Sequence, residues 1–349
     1  MIYDIYGNAL ASGSAGGGTA DRVYCWGDSL TEGVGGWDSD SFIDHAYPDE
    51  LSFPHVNLGC RGEDIQTIMA RQGADPIVLT SAVTIPASKD EAVNIGTVSK
   101  VFDKYSGGGL TTRSGETVKP LIEHEAGINP CRIGGVEGIL SRELTSGLDS
   151  ASTYTYKFRR LKSGTAVTAA KGSEIVTYAM QHYRNGYAVF WMGANGRANS
   201  HQEFAAKVRK MAEYGNYKNW LCVICREYTD QWVFDGTYGG SPYQGIQSLL
   251  TDPDGTCHLL YLPPLLIQRG YLLAGLSGQE ISTSGWDTSD AILKAAPKLM
   301  AKSASSPTGY ETLHFSKWGY RAIGKLIDEA LGVLIQNTPE RSDPAYSGG

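Results

Sequence analysis

A serine stands at position 29 in the run Gly27-Asp28-Ser29-Leu30-Thr31-Glu32-Gly33, directly after the apolar run Val23-Tyr24-Cys25-Trp26. The apolar run reads as a short buried strand, so Ser29 falls at a strand end among small and acidic neighbours. A sharp turn there would lift the hydroxyl out of the sheet and leave backbone N–H groups beside it. A nucleophilic serine needs that exposure, a nearby base and donors for an oxyanion. The G-x-S-x-G elbow would require glycine at position 31, where the chain has Thr31. Neither that pattern nor S-x-x-K occurs elsewhere, so the candidate nucleophile is the serine of Gly27-Asp28-Ser29-Leu30.

Three further blocks follow in order: Val56-Asn57-Leu58-Gly59-Cys60-Arg61-Gly62, then Val189-Phe190-Trp191-Met192-Gly193-Ala194-Asn195-Gly196, and finally Glu311-Thr312-Leu313-His314. Together with the Ser29 block they resemble the SGNH, or GDSL, hydrolase family, whose landmarks are Ser, Gly, Asn and His. The chain departs from that family's pattern at Gly196, where G-x-N-D is usual, and at Glu311, where D-x-x-H is usual. The likeness covers roughly residues 20–80 and 185–335. It implies a three-layer α/β/α (flavodoxin-like) fold with a parallel central sheet, and ester hydrolysis through a covalent seryl ester.

Carried onto this chain, the resemblance makes Ser29 the nucleophile and His314 the base that takes its proton and returns it to the leaving alcohol. A histidine ordinarily titrates near pH 6.5, well placed for that role. Of the seven histidines, only His314 follows an acid-x-x-His spacing just ahead of a C-terminal helix. Glu311 is the expected orienting acid, three residues away on one turn; a backbone carbonyl or an acid from elsewhere, such as Asp287 or Asp290, is the alternative. The oxyanion hole would comprise the Ser29 N–H, the Gly59 N–H and the Asn195 side-chain amide. Asp28 reads as a support for the loop rather than a reacting group. No metal or organic cofactor is implied.

The elements that must position these residues can be read from pattern. The chain has 349 residues, 41% of them hydrophobic, enough for a sizeable core and a length suggesting about two domains. Residues 1–20 form a Gly/Ser-rich leader, read as flexible. Residues 21–75 and 181–338 read as the hydrolase core, and 339–349 as a disordered tail. A helix is expected from Asp64 to Gln72, with Ile65, Ile68 and Met69 on one face and Gly73 as its stop. Ser200 with Glu203 reads as a capping box for a helix whose apolar face is Phe204, Val208 and Met211. The last helix runs from about Lys317 to Ile335.

Helical periodicity vanishes between about 76 and 180, where turn signals separate short β-like runs: Ile77–Leu79, Ala82–Ile85, Val93–Val98, Val118–Glu123, Val136–Leu140, Tyr154–Phe158, Thr165–Ala169 and Glu174–Tyr178. This reads as a small all-β accessory domain inserted into the α/β core.

The net charge of −7 argues against a nucleic-acid or anionic-membrane partner. No run of about 18 apolar residues is present, so no membrane span is expected, and no signal peptide is visible at Met1. Export, if any, and oligomeric state are left open. Cys222 and Cys225 form a C-x-x-C within a strand-like run, where side chains three apart face opposite ways, so they read as buried thiols rather than metal ligands. The insert and an aromatic loop at 228–243 point to a glycan ester as substrate and to removal of short acyl groups, mainly acetyl. The other readings are a short-chain lipase or thioesterase, and a phage-tail or glycan-binding module.

Overall fold

The computed structural model describes residues 2–3, 9–10, 22–36, 45–101, 104–106, 110–121, 126–146, 151–196, 198, 200–225, 242–277, 296–302 and 310–337. The chain is a mixed α/β protein built on a five-stranded parallel sheet, with several antiparallel sheets beside it. The parallel strands are β1 (Val23–Gly27), β2 (His55–Gly59), β3 (Tyr187–Trp191), β4 (Asn219–Ile224) and β5 (Leu259–Tyr261), in the spatial order β5-β4-β3-β1-β2. Strands β1, β3 and β4 are buried along their whole length. They therefore read as continuous apolar runs rather than alternating ones, as parallel strands covered on both faces do.

The register matters for the site. Gly27 at the end of β1 pairs with Gly59 on one side and Trp191 on the other. Three strands thus end in one row, and the loops leaving them share one edge of the sheet. Because β2 and β3 flank β1, this is the point where the chain's direction of travel across the sheet reverses, where a crevice opens in open α/β sheets.

The helices are α1 (Ser29–Glu32), α2 (Ile65–Gln72), α3 (Tyr178–His182), α4 (His201–Gly215), α5 (Pro242–Leu249), α6 (Leu262–Ala274) and α7 (Lys317–Asn337). Local chemistry sets their ends. Asp64 caps α2 by accepting from the Thr67 N–H at 2.7 Å, and Gly73 closes it in the left-handed region. Ser200 caps α4 by accepting from the Glu203 N–H at 3.1 Å, and Phe204, Val208 and Met211 are buried. Helix α6 packs against α7, and α2 against α4. Among the described residues no helix is long and apolar enough to cross a membrane.

Between β2 and β3 lies a group of antiparallel strands with its own buried cluster, which includes Ile95, Leu140, Tyr156 and Phe158. Six strands form one sheet, in the order Ile175–Val176, Cys131–Ile133, Val136–Ser146, Ala151–Arg160, Ala92–Val101, Lys104–Ser106. Two smaller pairs join it: Val83–Ile85 with Val167–Ala169, and Ile77–Leu79 with Leu110–Thr112. The strands Lys104–Ser106, Leu110–Thr112 and Cys131–Ile133 add to those expected. The strand expected at Val118–Glu123 is corrected: residues 118–121 form a loop, and 122–125 lie outside the described residues.

Of the 1–20 leader, only the small strands Ile2–Tyr3 and Ala9–Leu10 are described, paired with each other. The 339–349 tail and residues 228–241 of the aromatic loop lie outside the described residues, as do Asp287 and Asp290.

Candidate active site

Ser29 opens α1 immediately after β1, held in a turn clamped from several directions. Asp28 caps the helix, its Oδ1 accepting from the Leu30 N–H at 3.0 Å. Its Oδ2 accepts from the Ala194 N–H at 3.1 Å, so one buried carboxylate joins the Ser29 turn to the loop after β3. Burial pushes the Asp28 carboxyl up to about 6, against the pull of the amides that donate to it. Thr31 Oγ1 donates to the Trp191 carbonyl at 2.9 Å. A Cβ on Gly27 would meet that carbonyl at 2.1 Å and Thr31 Oγ1 at 2.0 Å, so only glycine permits this contact between α1 and β3.

The other flank of α1 rests on β2. A Cβ on Gly59 would stand 2.1 Å from the Glu32 nitrogen. Glu32 accepts from Arg61 at both carboxylate oxygens, from the backbone N–H at 2.6 Å and from Nε and Nη2 at 2.9 and 2.7 Å. The guanidinium thus clasps one oxygen, Oε1, and the backbone N–H takes the other, in hydrogen bonds of the stronger, charge-assisted kind.

His314 meets Ser29 across this turn: its Nε2 lies 3.1 Å from Ser29 Oγ. The histidine sits on the strand Tyr310–Phe315, which pairs antiparallel with Met300–Lys302. Glycine again explains the approach. Gly35, with φ +93°, lies so close to this strand that a Cβ would meet His314 Cβ at 2.9 Å and the Phe315 carbonyl at 2.8 Å. Tyr320, on α7, donates to the Val34 carbonyl at 2.7 Å. The loop 33–36 is thus gripped by the strand that carries His314 and by the helix that follows it. The expectation that Glu311 and His314 share one turn is corrected: both belong to this extended strand. The Glu311 side chain lies outside the described residues.

The expected oxyanion donors fare differently. The Ser29 N–H has no acceptor among the described residues, as befits the first residue of a helix. Asn195 lies on the exposed loop after β3 and donates from Nδ2 to the Glu63 carbonyl at 3.0 Å, which leaves its second amide hydrogen unused by that bond. The Gly59 N–H is engaged, donating to Asn57 Oδ1 at 2.9 Å. Gly62, three residues on, has a left-handed backbone (φ +79°), and its N–H has no acceptor among the described residues. The Asn195–Glu63 bond brings Asn195 against this same loop. The signal for Gly62 was present as the second glycine of Gly59-Cys60-Arg61-Gly62.

The remaining described histidines serve other contacts. His258 is buried and stacked on Trp220, with Nδ1 on the Trp220 carbonyl at 2.9 Å and Nε2 on Asp252 at 2.8 Å. His45 faces Glu50 at 3.1 Å. Cys222 and Cys225 are both buried. No family model, no curated protein and no solved structure matches the chain.

Proposed function

We propose that the protein is a serine ester hydrolase of the SGNH type. The observation that carries this reading is the 3.1 Å contact between Ser29 Oγ and His314 Nε2, formed at the aligned ends of the parallel strands. Ser29 attacks the acyl carbonyl while His314 Nε2 takes its proton. The negative charge that develops on the carbonyl oxygen is met by the Ser29 N–H, the free hydrogen of Asn195 Nδ2 and a loop amide. Gly62 is proposed as that last donor, because the Gly59 amide is already bonded to Asn57. Collapse of the intermediate expels the alcohol, which takes the proton from His314. Water then repeats the sequence on the seryl ester and frees the acid. Each oxyanion donor is worth about 3–4 kcal/mol of barrier. Glu311 is proposed as the residue that orients His314; the two share a strand of irregular register, Met300 pairing with Phe315 and Lys302 with Tyr310, so the strict alternation that sends side chains three apart to opposite faces does not hold along it.

The three-layer α/β/α arrangement belongs to the same proposal. The order β5-β4-β3-β1-β2 is the flavodoxin-like one, and the contacts group α2 with α4 and α5, and α6 with α7, as two outer layers would. The substrate class proposed is a glycan carrying short acyl groups, chiefly acetyl. Incubation with a fluorophosphonate should modify Ser29, and acetate should be released from acetylated polysaccharides by the native protein but not by Ser29→Ala. A native protein that forms no adduct would instead be a binding module that keeps the fold.

A further inference from the structure

Three consecutive residues of the segment between β2 and β3 are held by hydrogen bonds, two of them to the loop and helix that follow β2. The Lys119 N–H donates to Thr67 Oγ1 on α2 at 3.4 Å. The Pro120 carbonyl accepts from Tyr156 OH at 3.0 Å, from within the antiparallel sheet's own core. The Leu121 N–H donates to Glu63 Oε1 at 3.1 Å, and its carbonyl accepts from Cys60 Sγ at 3.6 Å. Glu63 cannot drift, because Arg71 Nε donates to its other oxygen at 2.9 Å and both side chains are buried, 0% and 1% exposed. Arg71 also donates to the Leu58 carbonyl at 3.0 Å and to the Ala126 carbonyl.

The N–H and the carbonyl of Leu121 are therefore both held. A Cβ built on Gly62 would stand 3.2 Å from Leu121 Cδ1. The isobutyl group, partly exposed, thus lies over the glycine whose amide is free, on the loop that Asn195 also touches.

We propose that Leu121, contributed by the β-rich segment, is a specificity-determining wall of the acyl-binding side of the site and sets the length of acyl group accepted. This rests on the hydrolase reading of Ser29 and His314. An apolar wall one residue deep favours a methyl group and excludes a longer chain by collision with a side chain whose backbone is held by hydrogen bonds. A methylene in such a pocket is ordinarily worth a 10- to 200-fold preference.

The test compares p-nitrophenyl acetate, butyrate and octanoate on the native protein, Leu121→Ala and Leu121→Phe, with fluorophosphonate labelling of Ser29 as the measure of an intact site. The octanoate-to-acetate ratio of kcat/KM should rise about 10-fold or more in Leu121→Ala and fall in Leu121→Phe. Labelled proteins whose ratios stay within about twofold of the native value would overturn the role of Leu121 and leave the hydrolase intact. A native protein with no Ser29 adduct would overturn both. If Leu121→Ala loses its fold, Leu121→Phe still decides, since an unchanged ratio in it contradicts the wall.

Discussion

Asp28 has an unusual assignment for a residue beside a nucleophile: it is fully buried, charged only at a cost, and bonded to two loops at once. Its folded pKa of about 6 lies above the ordinary carboxyl value of 3.8. The stability it contributes is therefore fully present below pH 3.8 and is lost as the pH rises through 6. A carboxamide in its place would not titrate. The stability difference between the native protein and Asp28→Asn, measured by urea unfolding, should grow in favour of the native protein by about 1–3 kcal/mol between pH 7 and pH 4. The same substitution turns one acceptor into a donor facing a backbone N–H. At pH 8 ester hydrolysis should fall roughly 10- to 100-fold, as small displacements of a nucleophile do.

At this scale the sequence was informative where chemistry is local. Ser29 and His314 stood out by type and spacing, and Asp28 by its place in the motif. Gly35 and Leu121 were not legible, because what makes them matter is contact with residues far along the chain. Nor was the engagement of the Gly59 amide by Asn57, an exposed mid-strand side chain that bends back to the backbone two residues on.

Among the elements, α1 is only one turn long and owes its position to its neighbours. The glycines beneath it admit no side chain: at Gly59 the obstruction is the Glu32 backbone, which cannot swing aside. Gly59→Ala should cost about 3 kcal/mol or more and slow Ser29 labelling, because α1 must move to make room. Gly332, inside α7 with open space where a Cβ would go, is the contrast. Gly332→Ala should raise stability by about 0.5–1 kcal/mol and leave labelling unchanged. Thermal unfolding of the two variants measures both.

The elements the sequence announced were those with end signals of their own: α2 with Asp64 and Gly73, α4 with Ser200, and the apolar strands of the parallel sheet. Those it concealed depend on partners. The strand of His314 exists because it pairs with Met300–Lys302, three residues without pattern. Residues 118–121 have the composition of a strand, yet the Leu121 N–H goes to a carboxylate rather than to a neighbouring strand.

At the scale of the whole molecule, the buried Glu63–Arg71 pair ties the β-rich segment, which has its own hydrophobic cluster, to the parallel-sheet core, which has another. Arg71 reaches Ala126 and Glu63 reaches Leu121 from one side, while Leu58 and Asn195 are tied in from the other. Removing one partner leaves the other charge buried without its counterpart. Arg71→Met should lower the unfolding free energy by about 3–5 kcal/mol, and adding Glu63→Gln to it should restore part of the loss. A single urea transition in each variant would place both clusters in one cooperative unit, whereas a first transition confined to the β-rich segment would count against that coupling.

Ser29 and His314 are separated by 285 residues along the chain. A growing polypeptide therefore presents the serine long before the histidine that faces it exists. On the proposed hydrolase reading, the serine stays chemically quiet until Tyr310–Phe315 has emerged, found Met300–Lys302 and closed on the loop at Gly35. On that reading, a message or polypeptide cut short before residue 314 yields an inert product rather than an unregulated one.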